Sequence, residues 1–187
     1  MSNSRLWFGC AESESMNLIR EANQIHEFHS CVAVPFHRHR QPKAMRPTHA
    51  GTFHVTARSI AEEHIFRDHR DYHHGIQILA ELVTERLLTC HGFCLMPTHY
   101  HLIASFEEDG LTAAIRRLHR RYAGGFNRRH SRHGHVFESP YTAIEVVREG
   151  HAYRLPDYIA ENPPRRPWPW SSFDTPFSFV EPLPWVP

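Results

Sequence analysis

The sequence lacks a long apolar run. Its longest uninterrupted apolar stretch covers only residues 31–36, whereas a membrane-spanning helix requires about 20 apolar residues. The first 30 residues contain acidic and amide side chains where a secretory signal would have an apolar run of roughly 7–15 residues. We therefore expect a cytoplasmic protein that neither crosses a membrane nor is exported.

Cysteine is scarce as well, with four in 187 residues. A chain of this length buries an adequate core without disulfides, so we expect reduced and mostly buried thiols. Cys90 and Cys94 share one face of a predicted strand. The chain has no second closely spaced cysteine pair that would complete a structural zinc site with them.

Acidic residues are absent between positions 111 and 135, where the chain carries seven arginines. Subtracting these seven from the 21 Lys+Arg leaves 14 basic residues against 20 acidic ones, so the net charge of +1 conceals a basic region on an otherwise acidic protein. This asymmetry favours a polyanion as partner over a merely solvated helix face. The candidate DNA-binding residues are Arg116, Arg117, Arg120, Arg121, Arg128, Arg129 and Arg132.

Hydrophobic periodicity predicts a strand, a helix, two strands, a helix, a strand and a final helix. These elements fall at 53–58, 69–88, 88–96, 101–106, 111–129, within 136–147, and at 149–162. Strands separated by helices, with one adjacent strand pair in the middle, favour an α+β sandwich with a mostly antiparallel sheet.

Proline marks the end of this region. Nine of the 14 prolines lie between Pro156 and Pro187, which excludes long helices and central strands beyond residue 162. Pro156 itself predicts that a helical turn begins there, because proline is tolerated in a first turn. We expect an N-terminal extension over 1–46 with a possible short helix and a basic linker, a main domain over 47–173, and a proline-rich tail over 174–187.

Histidine is abundant, with 18 residues, and three His-x-His pairs are barely more than chance predicts at that abundance. Residues i and i+2 of a strand share a face, so such a pair can hold one metal ion if the middle residue is buried. Only His99 and His101 lie in an apolar, strand-like context; the pairs at 37–39 and 133–135 lie in polar surroundings. The pattern alone is equally compatible with an ordinary histidine pair.

A second candidate group lies downstream in the segment DYIAEN. Tyr158 and Asn162 are four residues apart, which sets a phenol beside an amide oxygen on one face of a helix. By strand parity Tyr100 points away from the His99–His101 face. Tyr72 and Tyr122 lie in the apolar stripes of predicted helices.

The segment HGFCLMPTHYHLIASF resembles the signature of the HUH single-strand nucleases, in particular the single-tyrosine transposases. The segments RRYAGGFNRRHSRHGHVFESPYTAIEV, YIAENP and WPWSSF are similar to the REP-associated tyrosine transposases of bacteria. The resemblance covers about residues 47–173. Thr98 stands where the family commonly has Asn, and the loop after YIAEN is shorter than the family's.

The resemblance implies a ferredoxin-like sandwich and a transposase-like HUH catalytic domain over 47–173. In it, His99, His101 and Asn162 would bind a divalent metal ion, Mg²⁺ or Mn²⁺, and Tyr158 would be the nucleophile. The substrate would be single-stranded, hairpin-containing DNA, cleaved through a 5′-phosphotyrosine intermediate. The resemblance also implies a monomer or homodimer associated with the bacterial nucleoid, with no membrane partner.

Two other functions stay open at this stage. The chain could be a nucleic-acid-binding protein that retains the fold without chemistry, or a histidine-rich metal-binding protein without a DNA role. Trp168 and Trp170 could stack on unpaired bases, although tryptophan in a proline-rich segment more often covers a core. The basic stretch 37–46 could contact a hairpin stem or be a linker.

Overall fold

The structure, a computed structural model, describes residues 47–147 and 151–183. The predicted N-terminal extension over 1–46, with its basic linker and the histidine pair at 37–39, lies outside these residues. Within them the elements follow the predicted order, and the α+β prediction is confirmed. No helix in this part of the chain is both long and apolar enough to cross a bilayer.

Four strands form one sheet: β1 (Gly51–Arg58), β2 (Thr89–Met96), β3 (His99–Phe106) and β4 (Thr142–Glu145). Their order across the sheet is β2-β3-β1-β4, and every neighbouring pair is antiparallel. Pro97 and Thr98 form a two-residue turn between β2 and β3, with Met96 paired to His99. β3 is therefore a central strand, held on both sides by backbone hydrogen bonds.

Three α-helices accompany the sheet: α1 (His69–Thr84), α2 (Gly110–Arg129) and α3 (His151–Ala160). The side chain of Asp68 caps α1 by accepting hydrogen bonds from the backbone N–H groups of Arg70 and Asp71. α3 begins at His151, so the prediction that a helical turn starts afresh at Pro156 is wrong. Burial of Leu155 and Ile159 stabilises α3 and offsets the backbone hydrogen bond that Pro156 cannot donate.

The two faces of the sheet carry different helices. Alternate residues of β3 point to opposite faces. The Tyr100 hydroxyl lies 2.8 Å from Nε2 of His119 on α2, whereas the ring of His101 contacts Tyr158 on α3. α2 therefore covers the apolar face and α3 lies over the face that carries the histidine pair.

The main core lies between the apolar face of the sheet and helices α1 and α2. α2 buries the stripe that its periodicity predicts, together with Phe126, and the strands contribute mainly β-branched, aromatic and aliphatic side chains. The buried α2 residues are Leu111, Ala114, Ile115, Leu118, Tyr122 and Phe126. Cys90 and Cys94 are free thiols and buried, as predicted.

The outer edge of β2 is covered by the C-terminal part of the chain. The N–H of Leu95 donates to the carbonyl of Trp170 at 3.0 Å, and the N–H of Glu181 donates to the carbonyl of Cys90 at 2.8 Å. Such covering prevents an exposed strand edge from pairing with other chains.

Trp168 and Trp170, in the described part of this segment, are buried. Trp170 stacks on Tyr72 with ring centroids 4.6 Å apart, and the indole N–H of Trp168 donates to the carbonyl of Leu95 at 2.8 Å. Trp168 and Trp170 therefore cover the core, and the alternative prediction that these two residues stack on unpaired bases is wrong.

Candidate active site

His99 and His101 lie on the same face of β3, with ring centroids 5.1 Å apart. His101 pairs in register with Thr56 of β1 on one side and with Cys94 of β2 on the other. Strand alternation sends Tyr100, between them, to the opposite face, where it is buried. The local sequence thus places both imidazoles together, and the neighbouring strands hold them in position.

His101 is only 4% exposed and has an unusual set of contacts. Its Nδ1 lies 2.9 Å from Nε2 of His54, and the hydroxyl oxygen of Thr56 lies 3.3 Å from both of these nitrogens. Its other nitrogen, Nε2, is buried without a hydrogen-bond partner in the described part of the chain. Buried polar atoms are rarely unsatisfied, so this nitrogen is a candidate metal ligand.

The environment keeps both histidines of the pair neutral. Burial lowers the pKa of His99 to about 4, and the positive charge of Arg58 acts in the same direction. Burial also lowers the pKa of His101 well below its ordinary value, with smaller contributions from His99, His54 and Arg58. A neutral imidazole is the form that binds a metal ion, so these shifts suit a ligand role near neutral pH.

Nδ1 of His99 lies 3.2 Å from the hydroxyl oxygen of Thr98. Thr98 therefore occupies the position beside the first histidine as a hydrogen-bonding residue. This contact uses Nδ1 and leaves Nε2 of His99 available to bind a metal ion. The contact with His54 likewise uses Nδ1 of His101 and leaves its Nε2 available.

Tyr158 lies beside the histidine pair within the same chain. Its ring is perpendicular to that of His101, with centroids 6.3 Å apart, and the residue is 46% exposed. Leu155 and Ile159, within one turn of Tyr158 on α3, are buried and anchor the helix. The phenol thus stands next to the imidazoles while staying accessible to a large substrate.

Asn162 lies one turn after Tyr158 but is turned towards the helix end. Its side-chain Nδ2 donates a hydrogen bond to the carbonyl of Tyr158 at 2.7 Å. Within residues 47–147 and 151–183, no hydrogen bond joins Asn162 to His99 or His101, and no group of three His, Cys, Asp or Glu side chains could hold a metal ion. The structure therefore places His99 and His101 together, and the role of the Asn162 amide oxygen as third ligand stays a prediction.

Three residues that no sequence motif indicates lie beside this pair: His54, Thr56 and Arg58. They alternate along β1 on the face that carries His99 and His101, and Arg58 is the register partner of His99. Arg58 is exposed and makes no ion pair with a described carboxylate. The alternation in FHVTAR was visible in the sequence, but only the pairing of β1 with β3 places these side chains at the site.

The seven arginines lie on or just after α2, on the far side of the sheet from the histidine pair. Four of them form ion pairs with acidic side chains from other parts of the chain, for example at 2.8 Å for Arg121 with Glu85 and for Arg129 with Asp68. The ion pairs are Arg117 with Glu85, Arg121 with Glu81 and Glu85, Arg129 with Asp68 and Asp71, and Arg132 with Glu63.

The three remaining arginines, Arg116, Arg120 and Arg128, have no carboxylate partner among the described residues. Arg120 and Arg128 line an open groove of about 320 Å³ between α1 and α2, together with His74 and Arg121. Three of the seven arginines thus present a guanidinium group without an acidic partner in the described residues, and DNA binding by the seven stays a prediction. An arginine count along one helix cannot show which guanidinium groups are engaged by acids elsewhere in the chain.

No protein-family model and no curated protein matches this sequence. The structure is similar to a solved structure of a REP-associated tyrosine transposase bound to a REP hairpin, with a TM-score of 0.58. The sequence identity is 17%, and the match covers 76% of this chain and 98% of that one. At this identity the match establishes a shared fold, and it agrees with the predicted α+β architecture with a mostly antiparallel sheet.

Proposed function

We propose that this chain is a metal-dependent single-stranded DNA endonuclease and strand transferase of the REP-associated tyrosine transposase type. The observation that carries the proposal is the position of Tyr158 against the His99–His101 pair in one chain. The ordered motifs and the fold shared with a hairpin-bound transposase support it. The proposed substrate is DNA cleaved beside a hairpin.

The histidine pair fits a divalent ion, because Nε2 of His101 is buried without a partner and both imidazoles are neutral. We propose that the pair holds Mg²⁺ or Mn²⁺, with the amide oxygen of Asn162 as third ligand. When bound, the ion supplies positive charge that polarises a non-bridging phosphate oxygen. Three neutral ligands would leave its charge uncancelled, which favours an anionic substrate.

Tyr158 would attack the scissile phosphorus through its phenolic oxygen. A bond forms from that oxygen to phosphorus, the bond from phosphorus to the 3′ oxygen breaks, the phenolic proton is lost, and the 3′ oxygen gains a proton. The products are a 5′-phosphotyrosine and a free 3′-OH. The phosphodiester linkage is conserved, so a later strand joining needs no ATP.

Arg58 is the proposed phosphate contact of this chain at the reacting centre. It is exposed beside His99, its charge acts on both histidines of the pair, and it has no acidic partner in the described residues. A fixed guanidinium there would offset negative charge on the phosphate and on the attacking oxygen. Arg116, Arg120 and Arg128 would bind DNA phosphates on the opposite face.

The experiment that tests the proposal is covalent trapping on DNA. Purified protein is incubated with Mn²⁺ or Mg²⁺ and a broad pool of single strands and hairpins, then denatured in detergent. Wild type should form a denaturation-resistant adduct, and Tyr158→Phe should form none. Tyr141→Phe is the matched control, because Tyr141 is a partly buried tyrosine that packs against the core.

Absence of an adduct in wild type would refute the nuclease proposal. An adduct retained by Tyr158→Phe would place the nucleophile on another residue. His101→Ala should lose the adduct while keeping DNA binding, because the arginine surface lies on the other side of the sheet.

A second function, DNA binding without cleavage, is favoured by one observation: among the described residues no group of three His, Cys, Asp or Glu side chains could hold a metal ion. Hairpin binding by wild type, with no adduct under any metal condition, would support this second function.

A further inference from the structure

His54 and His101 form a buried imidazole pair on the face of the sheet below α3. His54 is 7% exposed, and the two rings stack with centroids 5.2 Å apart and an interplanar angle of 16°. His54 lies on β1 and His101 on β3, and they are diagonal neighbours on one face of the sheet. His54 pairs in register with Ile103, which lies two residues after His101. No feature of the FHVTAR segment alone indicates this contact.

A hydrogen bond between two neutral imidazoles requires one donor and one acceptor. Nδ1 of His101 lies 2.9 Å from Nε2 of His54, so only one of these two nitrogens carries the proton. If His54 were the donor, the proton of His101 would sit on its Nε2. That atom is buried and has no hydrogen-bond partner, so an N–H there would be an unsatisfied buried donor.

If His101 is the donor instead, its Nε2 carries a lone pair aimed into the site beside Tyr158 and His99. A cation at that position would satisfy the nitrogen, and no rearrangement of the strands is needed. The hydroxyl of Thr56, 3.3 Å from both nitrogens, is compatible with this arrangement because it can accept from His101 or donate to His54.

We propose that His54 is a positioning residue that holds His101 in the tautomer with its proton on Nδ1, so that Nε2 binds the divalent ion. The inference rests on the proposed function, since it concerns the same metal site. It adds a residue that touches neither substrate nor metal and acts through the orientation of a ligand. Such outer-shell partners of ligating histidines fix both tautomer and ring orientation.

The first test is the tautomer itself, measured in metal-free wild-type protein by long-range ¹H–¹⁵N NMR of the imidazole rings. The expected result is a His101 ring with its proton on Nδ1. This measurement requires no substitution in His54 and does not depend on enzyme activity. A wild-type His101 ring with its proton on Nε2 would overturn the proposal.

The second test is Mn²⁺ affinity measured by calorimetry on the full chain. His54→Leu removes the acceptor and should weaken Mn²⁺ binding by about 10–100-fold. His54→Gln should keep most of the affinity, because its amide oxygen can accept from Nδ1 of His101. Thr52→Val is the matched control: it removes a largely buried hydrogen bond to Ser105, 2.7 Å long, from the same strand and face.

Affinity in His54→Leu equal to that of wild type, together with its loss in His101→Ala, would overturn the positioning role while leaving the metal site intact. Mn²⁺ binding unchanged in both His99→Ala and His101→Ala would overturn the proposed metal site as well. The two failures are therefore distinguishable.

Discussion

Arg129 is one of the seven arginines that the sequence assigns to DNA, and the structure predicts that its removal mainly destabilises the fold. Its guanidinium lies 2.8 and 2.9 Å from the two carboxylate oxygens of Asp68, and it also pairs with Asp71. The Asp71 side chain is only 2% exposed. Replacement by alanine, Arg129→Ala, leaves that buried carboxylate without its strongest partner.

The expected loss can be worked out from these two contacts. The pair with Asp68 is partly exposed and contributes about 0.2–1 kcal/mol. Breaking a buried pair from one side costs roughly 3–5 kcal/mol. Asp71 keeps the N–H of Arg67 at 2.9 Å and the Nε2 of His130 at 3.0 Å, so we expect the lower end of that range. The unfolding free energy should therefore fall by about 3 kcal/mol in total.

The assay is urea unfolding followed by tryptophan fluorescence, since Trp168 and Trp170 are buried against the core. A loss of this size is a large part of the roughly 5–15 kcal/mol that stabilises a typical domain. It should lower Tm by about 6–12 °C. Arg120→Ala is the matched control on the same helix, and we expect its effect to stay within about 0.5 kcal/mol.

The reasoning would be refuted if Arg129→Ala were no more destabilising than Arg120→Ala. That result would mean that Asp71 is satisfied without Arg129. The guanidinium would then be available to bind DNA, as the sequence alone predicts.

Three further predictions concern the DNA surface, a buried thiol and the β2 edge. Arg120→Ala or Arg128→Ala should each reduce the slope of log Kd against log salt for hairpin DNA by about one, and an unchanged slope would remove that residue from the DNA surface. Burial raises the pKa of Cys90 to about 12, so the neutral thiol's contribution to stability should be present below pH 9 and be lost as the pH rises towards 12. Iodoacetamide at pH 8.5 should accordingly label Cys90 far more slowly in the native protein than in urea, as measured by peptide mass spectrometry, and equal rates would contradict its burial. Gly92→Ala places a Cβ 2.6 Å from the ring of Phe173, so it should displace the segment that covers β2 and lower Tm by several degrees; an unchanged Tm would show that the ring moves freely.

Local sequence patterns set the order of the secondary-structure elements and the face of the strand on which each site residue lies. Period-two and helical patterns predicted the order of the strands and helices over 53–162. Three boundary predictions were wrong: α1 ends at Thr84 and not at 88, β3 begins at His99 and not at 101, and no new helical turn begins at Pro156. Strand alternation placed His99 and His101 on one face of the strand and Tyr100 on the opposite face. These features depend on residues close in sequence, where backbone geometry alone sets the direction of each side chain.

Tertiary contacts set which residues distant in sequence share the site and which arginines form ion pairs with acidic side chains. His54 and Arg58 lie more than 40 positions before the histidine pair in the chain. The register of β1 against β3 brings them next to it. Four of the seven arginines form ion pairs with acidic residues on α1 or in the segments directly before and after it, and Trp168 and Trp170 are buried beside β2. Local periodicity specifies the face on which a side chain lies, whereas strand register and helix packing specify its partners.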